Sequence, residues 1–91
     1  MIIRRNEGWL AARVGDEILM MSAEKGLYLG LNAVGARIWD LIESPCETEN
    51  ICAQLVREYE IAPDVCHAEV AAFFDQLAGH GAIDRDAAPA A

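Results

Sequence analysis

The side chains best equipped for chemistry in this chain are three cysteines, Cys46, Cys52 and Cys66, and two histidines, His67 and His80. Cys66-His67 sets two metal-ligand types side by side, but no paired Cys or His at ligand spacing accompanies it, so a metal cage lacks its remaining members. An odd cysteine count without tight spacing does not make a disulfide framework. Cys52 and Cys66 fall at helical positions, where a thiol packs as a small hydrophobe. Neither histidine has a nucleophile and an orienting acid near it in sequence. Phosphate-cradling, dinucleotide-binding and zincin motifs are missing as well. The residues therefore read as a protein that is not an enzyme, with no cofactor and no metal.

The chemistry that remains belongs to the main chain. Leu27-Tyr28-Leu29-Gly30-Leu31 is an uncharged, strand-forming run, and Asn32 stops it. A sheet edge this apolar, with no Lys or Pro to blunt it, invites another strand to pair. We read residues 27–31 as a docking rail for an extended peptide.

The flanking pattern must hold that rail. Residues 9–14 make a first strand, a tight turn follows at Gly15-Asp16, and Ile18 to Met21 make a second strand. A loop closed by Gly26 leads into the third, with Leu27, Leu29 and Leu31 on one face and Tyr28 and Gly30 on the other. Three helices follow. Asn32 caps the first, over Ala33 to Glu43, whose stripe is Val34, Ile38, Leu41 and Ile42, widened by Trp39. Thr48 caps the second, Glu49 to Tyr59, with Ile51, Leu55, Val56 and Tyr59 inward. Pro63 opens the third, which carries Cys66, Val70, Phe73, Phe74 and Leu77. Gly79 and Gly81 end it, and Ala82-Ile83 reads as a short extended return.

The fold class is α+β: a three-stranded antiparallel sheet followed by three helices, like a winged helix-turn-helix. It forms a single domain over residues 1–83, and residues 84–91 read as a flexible tail. With 91 residues, 54% of them apolar, the chain can bury one modest core. No apolar run approaches the ~20 residues that span a bilayer. The first residues lack the order of a signal peptide, so a cytoplasmic location is the default. Fifteen acids against seven bases give a net charge of −8, which repels nucleic acid and anionic membranes.

Gly26 to Asn32, then Gly35-Ala36-Arg37-Ile38-Trp39, Thr48, Ile51, Val70, Phe73, Leu77 and Gly81 resemble the PqqD-like family of small peptide chaperones, also called RiPP recognition elements. The Leu-Asn-x-x-Gly-x-x-Ile-Trp core carries most of the likeness, which extends over residues 9 to 83. The resemblance implies binding of the leader segment of a ribosomally made precursor peptide, added as an antiparallel strand along the third strand. It also implies delivery of that peptide to a modifying enzyme or leader peptidase, of lasso-peptide or radical-SAM type. Carried over by position, Leu27, Tyr28, Leu29, Gly30 and Leu31 form the rail, and Val70, Phe73, Phe74 and Leu77 face it from the third helix. Two positions depart from the family pattern: Ala62 stands where an Asp-type cap is usual, and Phe74 is larger than the leucine often found there.

Gly30 either lets a peptide or the neighbouring helix approach closely or marks a twist or bulge. Tyr28 either hydrogen-bonds the guest or is plain half-buried surface. Phe73 and Phe74 lie about 100° apart on a helix, so one packs inward and the other lines the groove; Phe74 is the one favoured for the groove. Trp39 reads as core, and Glu69, Asp75 and Gln76 as a solvated face open to a basic leader. The protein is expected as a monomer or weak dimer. Two other readings compete: a winged-helix transcription regulator, which would need a basic recognition helix, and a homo-oligomer whose edge strands pair with each other.

Overall fold

A computed structural model describes residues 1–86. The chain forms β1 (Ile2–Arg5), β2 (Leu10–Val14), β3 (Glu17–Ser22), β4 (Leu27–Leu31), α1 (Ala33–Leu41), β5 (Cys46–Glu47), α2 (Thr48–Tyr59), α3 (Pro63–Gly79) and β6 (Ile83–Asp86). The mixed α+β class and the three helices are as expected. The strands, however, make two antiparallel three-stranded sheets, ordered β2-β3-β4 and β5-β1-β6.

The meander β2-β3-β4 has the order read from the sequence. Ile18, Met20 and Ser22 are buried on the inner face of β3, opposite Leu31, Leu29 and Leu27 of β4. The alternation fixes the register, because a slip by one residue would carry this apolar set into water. Ser22 is the one buried polar side chain among the described residues, and its Oγ accepts the Lys25 backbone N–H at 3.2 Å inside the hairpin loop.

The second sheet corrects the expected flexible tail. Residues 84–86 continue a strand from Ile83, with Ile3 opposite Arg85 and Arg5 opposite Ile83; residues 87–91 lie outside the described residues. A glycine turn at the end of α3 makes this return possible. Gly81 takes φ +75°, its N–H donates to the Ala78 carbonyl, and the Ala82 N–H donates to the Leu77 carbonyl at 2.9 Å. This pair of bonds is the Schellman motif, which favours a residue without a β-carbon. Asn6 Nδ2 and Trp9 Nε1 both donate to the Gly81 carbonyl, at 2.9 and 3.3 Å.

Three local expectations change. Helix α1 ends two residues earlier than read, at Leu41. Thr48 does not cap α2: the helix begins at Thr48, and its hydroxyl donates to the Met1 carbonyl at 3.0 Å because Cys46–Glu47 has joined β1 as a strand. Tyr59, read as buried, is exposed where α2 stops at Glu60 in the left-handed region, φ 52°.

The core lies between the inner face of the meander, the three helices and the second sheet. Ile3, Met20, Ile42, Ile51, Leu55, Phe74, Leu77 and Ile83 are sealed within it. Trp39 is buried as read, with the Arg5 guanidinium 4.3 Å from its ring centroid and donating to its carbonyl. Cys52 and Cys66 are free and buried; burial pushes the Cys52 thiol up to about 11, so it stays protonated and inert.

Candidate functional site

Strand β4 bonds to β3 along one side, and among the described residues no strand pairs with its other side. Its backbone groups along that border are free to accept a partner. Leu31 is buried, Leu27 and Leu29 are half-buried on the inner face, and Tyr28 and Gly30 are exposed on the outer face. This alternation is the one read from the sequence.

Beside the open border runs a cleft of about 280 Å³, lined by Tyr28 to Leu31 of β4 and by Phe73, Gln76 and Leu77 of α3. A second cleft of about 220 Å³ continues past the end of β4, between α1, the α2–α3 connection and α3. Phe73 lines both, so its ring is the partition between two chambers of one groove. The second chamber includes Val34, Gly35, Ile61, Glu69 and Val70.

The roles of the two phenylalanines are the reverse of the favoured reading. Phe74 is 2% exposed and belongs to the core, whereas Phe73 is half-buried and faces the groove. The rings still touch, with centroids 5.9 Å apart. Burial of Cys66, Val70, Phe74 and Leu77 sets the inward stripe of α3, and Phe73 sits one position, about 100°, to its side. Val70 and Leu77 supply the floor from within that stripe.

Local sequence explains how α1 holds its share of the groove. The Asn32 side chain accepts the Gly35 N–H at 2.9 Å, so the helix starts directly where β4 stops. Gly35 then lies under Phe73: a β-carbon there would stand 3.2 Å from Cε1 of the ring. At Gly30, by contrast, a β-carbon would meet nothing within 4 Å. No element among the described residues crowds Gly30, so its close-approach role concerns a guest chain or none.

Some groove residues escaped the sequence reading. Gln76 and Glu69, read as a solvated face open to a basic leader, are exposed as read and line the first and second chambers respectively. Asp75 does lie outside, paired with Arg85. Val34 and Ile61 were missed as groove residues, although Gly35 in the Leu-Asn-x-x-Gly core pointed to a close contact on that face of α1. Among the described residues no group of three or more His, Cys, Asp or Glu is arranged to hold a metal ion.

A family profile described as "Coenzyme PQQ synthesis protein D (PqqD)" matches residues 17–83, more than half of the chain. The chain belongs to the PqqD family. Two solved structures are similar to this PqqD-family protein over nearly their whole lengths. One is "TbiB1 in Complex with the TbiA(beta) Leader Peptide", with TM-score 0.84 and 27% identity, covering 93% of this chain and 99% of that one. The other is "Lasso peptide synthetase B1 complexed with the leader peptide", with TM-score 0.81 and 19% identity, covering 91% of this chain and 98% of that one. At that identity the second shows the fold alone. No curated protein sequence matches the chain. The PqqD-family match takes in the meander from β3 onward, all three helices and the first residue of β6, and so the whole groove except its distant support from β1 and β2.

Proposed function

We propose that this protein binds the leader segment of a ribosomally made precursor peptide as an additional antiparallel strand along β4, and delivers it to a modifying enzyme or leader peptidase. The observation that carries this reading is the open border of β4 running beside a two-chambered groove. Strand addition draws affinity from main-chain hydrogen bonds and specificity from pockets for alternate side chains. Both parts are present: backbone groups along 27–31, and chambers separated by Phe73. A PqqD-family match and a structural relative seen with a leader peptide support the same reading.

In this scheme the protein is a carrier and not a catalyst. The receiving enzyme in this scheme is of lasso-peptide or radical-SAM type, as the family resemblance implies. A cytoplasmic location fits the reading; no helix among the described residues is long and apolar enough to cross a membrane. The regulator alternative is not favoured. Helix α3 holds no Lys or Arg, and on α2 the lone base, Arg57, is engaged with Gln54.

The test is a titration of isotope-labelled protein with the leader of the precursor encoded beside its gene. Amide shifts should concentrate in residues 27–31 and along the Phe73 face of α3. Shifts confined to α2 would refute the placement. Light scattering alongside should show a monomer or weak dimer; a tight dimer that leader cannot separate would favour self-pairing of the edge strands.

A further inference from the structure

We propose that the outer face of the β2-β3-β4 meander is a second docking surface, for the enzyme that processes the bound leader: a folded protein with an apolar centre rimmed by Lys and Arg. The inference rests on the leader-carrier reading above and names the partner that such a carrier must meet.

The strand register defines the face. Leu10, Met21 and Tyr28 form one cross-strand row, Ala12, Leu19 and Gly30 the next, and Val14 closes it beside Glu17. An antiparallel sheet with one face in water ordinarily turns polar residues outward. Here Leu10 is 68% exposed, Val14 68%, Leu19 39% and Tyr28 70%. These are four of the seven large apolar side chains left exposed among the described residues. A continuous patch of this kind marks an interaction site, where scattered single residues would not. At the hairpin end of the patch a cleft of about 310 Å³, lined by Leu10, Met21 and Tyr28 together with Ser22, Ala23, Gly26 and Leu27, gives a partner's side chain a place to anchor.

Charge at the rim selects the partner. Glu7 and Glu24 stand at one end of the meander, Asp16 and Glu17 at the other; all four are exposed, and among the described residues none has an ion-pair partner. Lys25, the one base in these loops, lies against the Gly81 turn at the end of α3. A second copy would bring acid against acid between chains of net charge −8. Anionic membranes and nucleic acids meet the same repulsion. A basic-rimmed protein gains at both ends of the patch.

Position supplies the reason for such a surface. Tyr28 and Gly30 belong both to this face and to the rail. A leader strand added at β4 would extend the sheet and set its own outward side chains beside Tyr28. An enzyme seated on the face would then contact carrier and leader together.

The experiment uses the purified leader-processing enzyme encoded with the precursor and two double variants, V14D/L19D and E17K/E24K. The second alters no packed side chain, and circular dichroism confirms the fold of both. Leader affinity, read by fluorescence anisotropy, should stay at the wild-type value. Affinity for the enzyme without leader, read by interferometry, should fall about tenfold or more in each variant. Unchanged enzyme affinity in V14D/L19D overturns the inference, as does a wild-type protein that fails to bind the enzyme. A wild-type dimer split by V14D/L19D also overturns it, because a second copy then covers the face. A wild-type protein that binds the enzyme through this face but not the leader would overturn the carrier reading alone.

Discussion

Gly35 on α1 and Phe73 on α3 are in direct contact, so close that a β-carbon at position 35 would come within 3.2 Å of the Phe73 ring. The contact fixes the ring as the partition between the two chambers of the groove. A substitution at 35 therefore acts on the groove through a side chain that is half-buried.

Gly35→Ala adds a methyl group that the ring must yield to by a few tenths of an ångström. The same change raises helix propensity by about 0.5–1 kcal/mol. The two effects oppose each other in stability, and a urea melt should show a net change within about 1 kcal/mol. Leader affinity should fall severalfold, because only the displaced partition bears on it. Anisotropy titration of both proteins separates the outcomes; unchanged affinity would mean that Phe73 does not shape the occupied groove.

Phe73→Ala and Phe74→Ala should part company. Phe74 is sealed in the core, and truncating it should cost about 3–5 kcal/mol, enough to unfold much of a small domain. Phe73 is half-exposed, so its loss should cost about 1 kcal/mol of stability. Leader binding should weaken about tenfold or more in Phe73→Ala. Paired chemical-denaturation and binding curves check both halves.

Glu60 closes α2 with φ 52°, a left-handed conformation that carries a penalty of about 1–2 kcal/mol for a residue with a side chain. Glu60→Gly removes that penalty but adds freedom to the unfolded chain. The expected balance is a gain of about 0.5–1 kcal/mol, or roughly 2–8 °C in Tm by calorimetry for a domain of this size. Leader affinity should not change.

Arg37 on α1 and Glu58 on α2 form a two-pronged ion pair, with both contacts at 2.8 Å. Hydrogen bonds from Arg37 and then Gln54 hold the Glu58 carboxyl down at about 2. A depressed carboxylate stabilises the fold above its unfolded-state pKa of about 4.3, and that contribution fades as pH falls from there toward 2. The pair is solvent-exposed, so the effect should stay below about 1 kcal/mol. Glu58→Gln should flatten the acid limb of stability against pH between those values, and unfolding curves collected across that range test it.

The parts of the fold that were legible in the sequence are those with an unambiguous local signal. Strand β4 was bounded by Gly26 and Asn32, and its limits, Leu27–Leu31, came out unchanged because glycine, a cap and clean alternation all agreed. Helix α3 was legible from Pro63 to Gly79 for the same reason. Strands β1 and β5 were not, and of β6 only its start was read, as the extended return at Ala82-Ile83. Two to four residues each carry too little pattern to stand apart from loop or tail. Their pairing depends on contacts such as Ile2 with Glu47 and Arg5 with Ile83, which only the folded chain brings together. The swap of Phe73 and Phe74 has a similar origin. Both are equally apolar, and the choice between them rests on where β4 and Gly35 lie relative to the helix.

Because Ile2 sits opposite Asp86 in the β1–β6 ladder, the first and last strands of the described residues lie side by side, on a different sheet from β4. Adjacent exits of this kind let a module be spliced into a surface loop of a larger host without stretching either polypeptide. The same architecture is thus suited to serve as a free-standing part or as a cassette carried inside an enzyme, with the open border of β4 left clear in both settings.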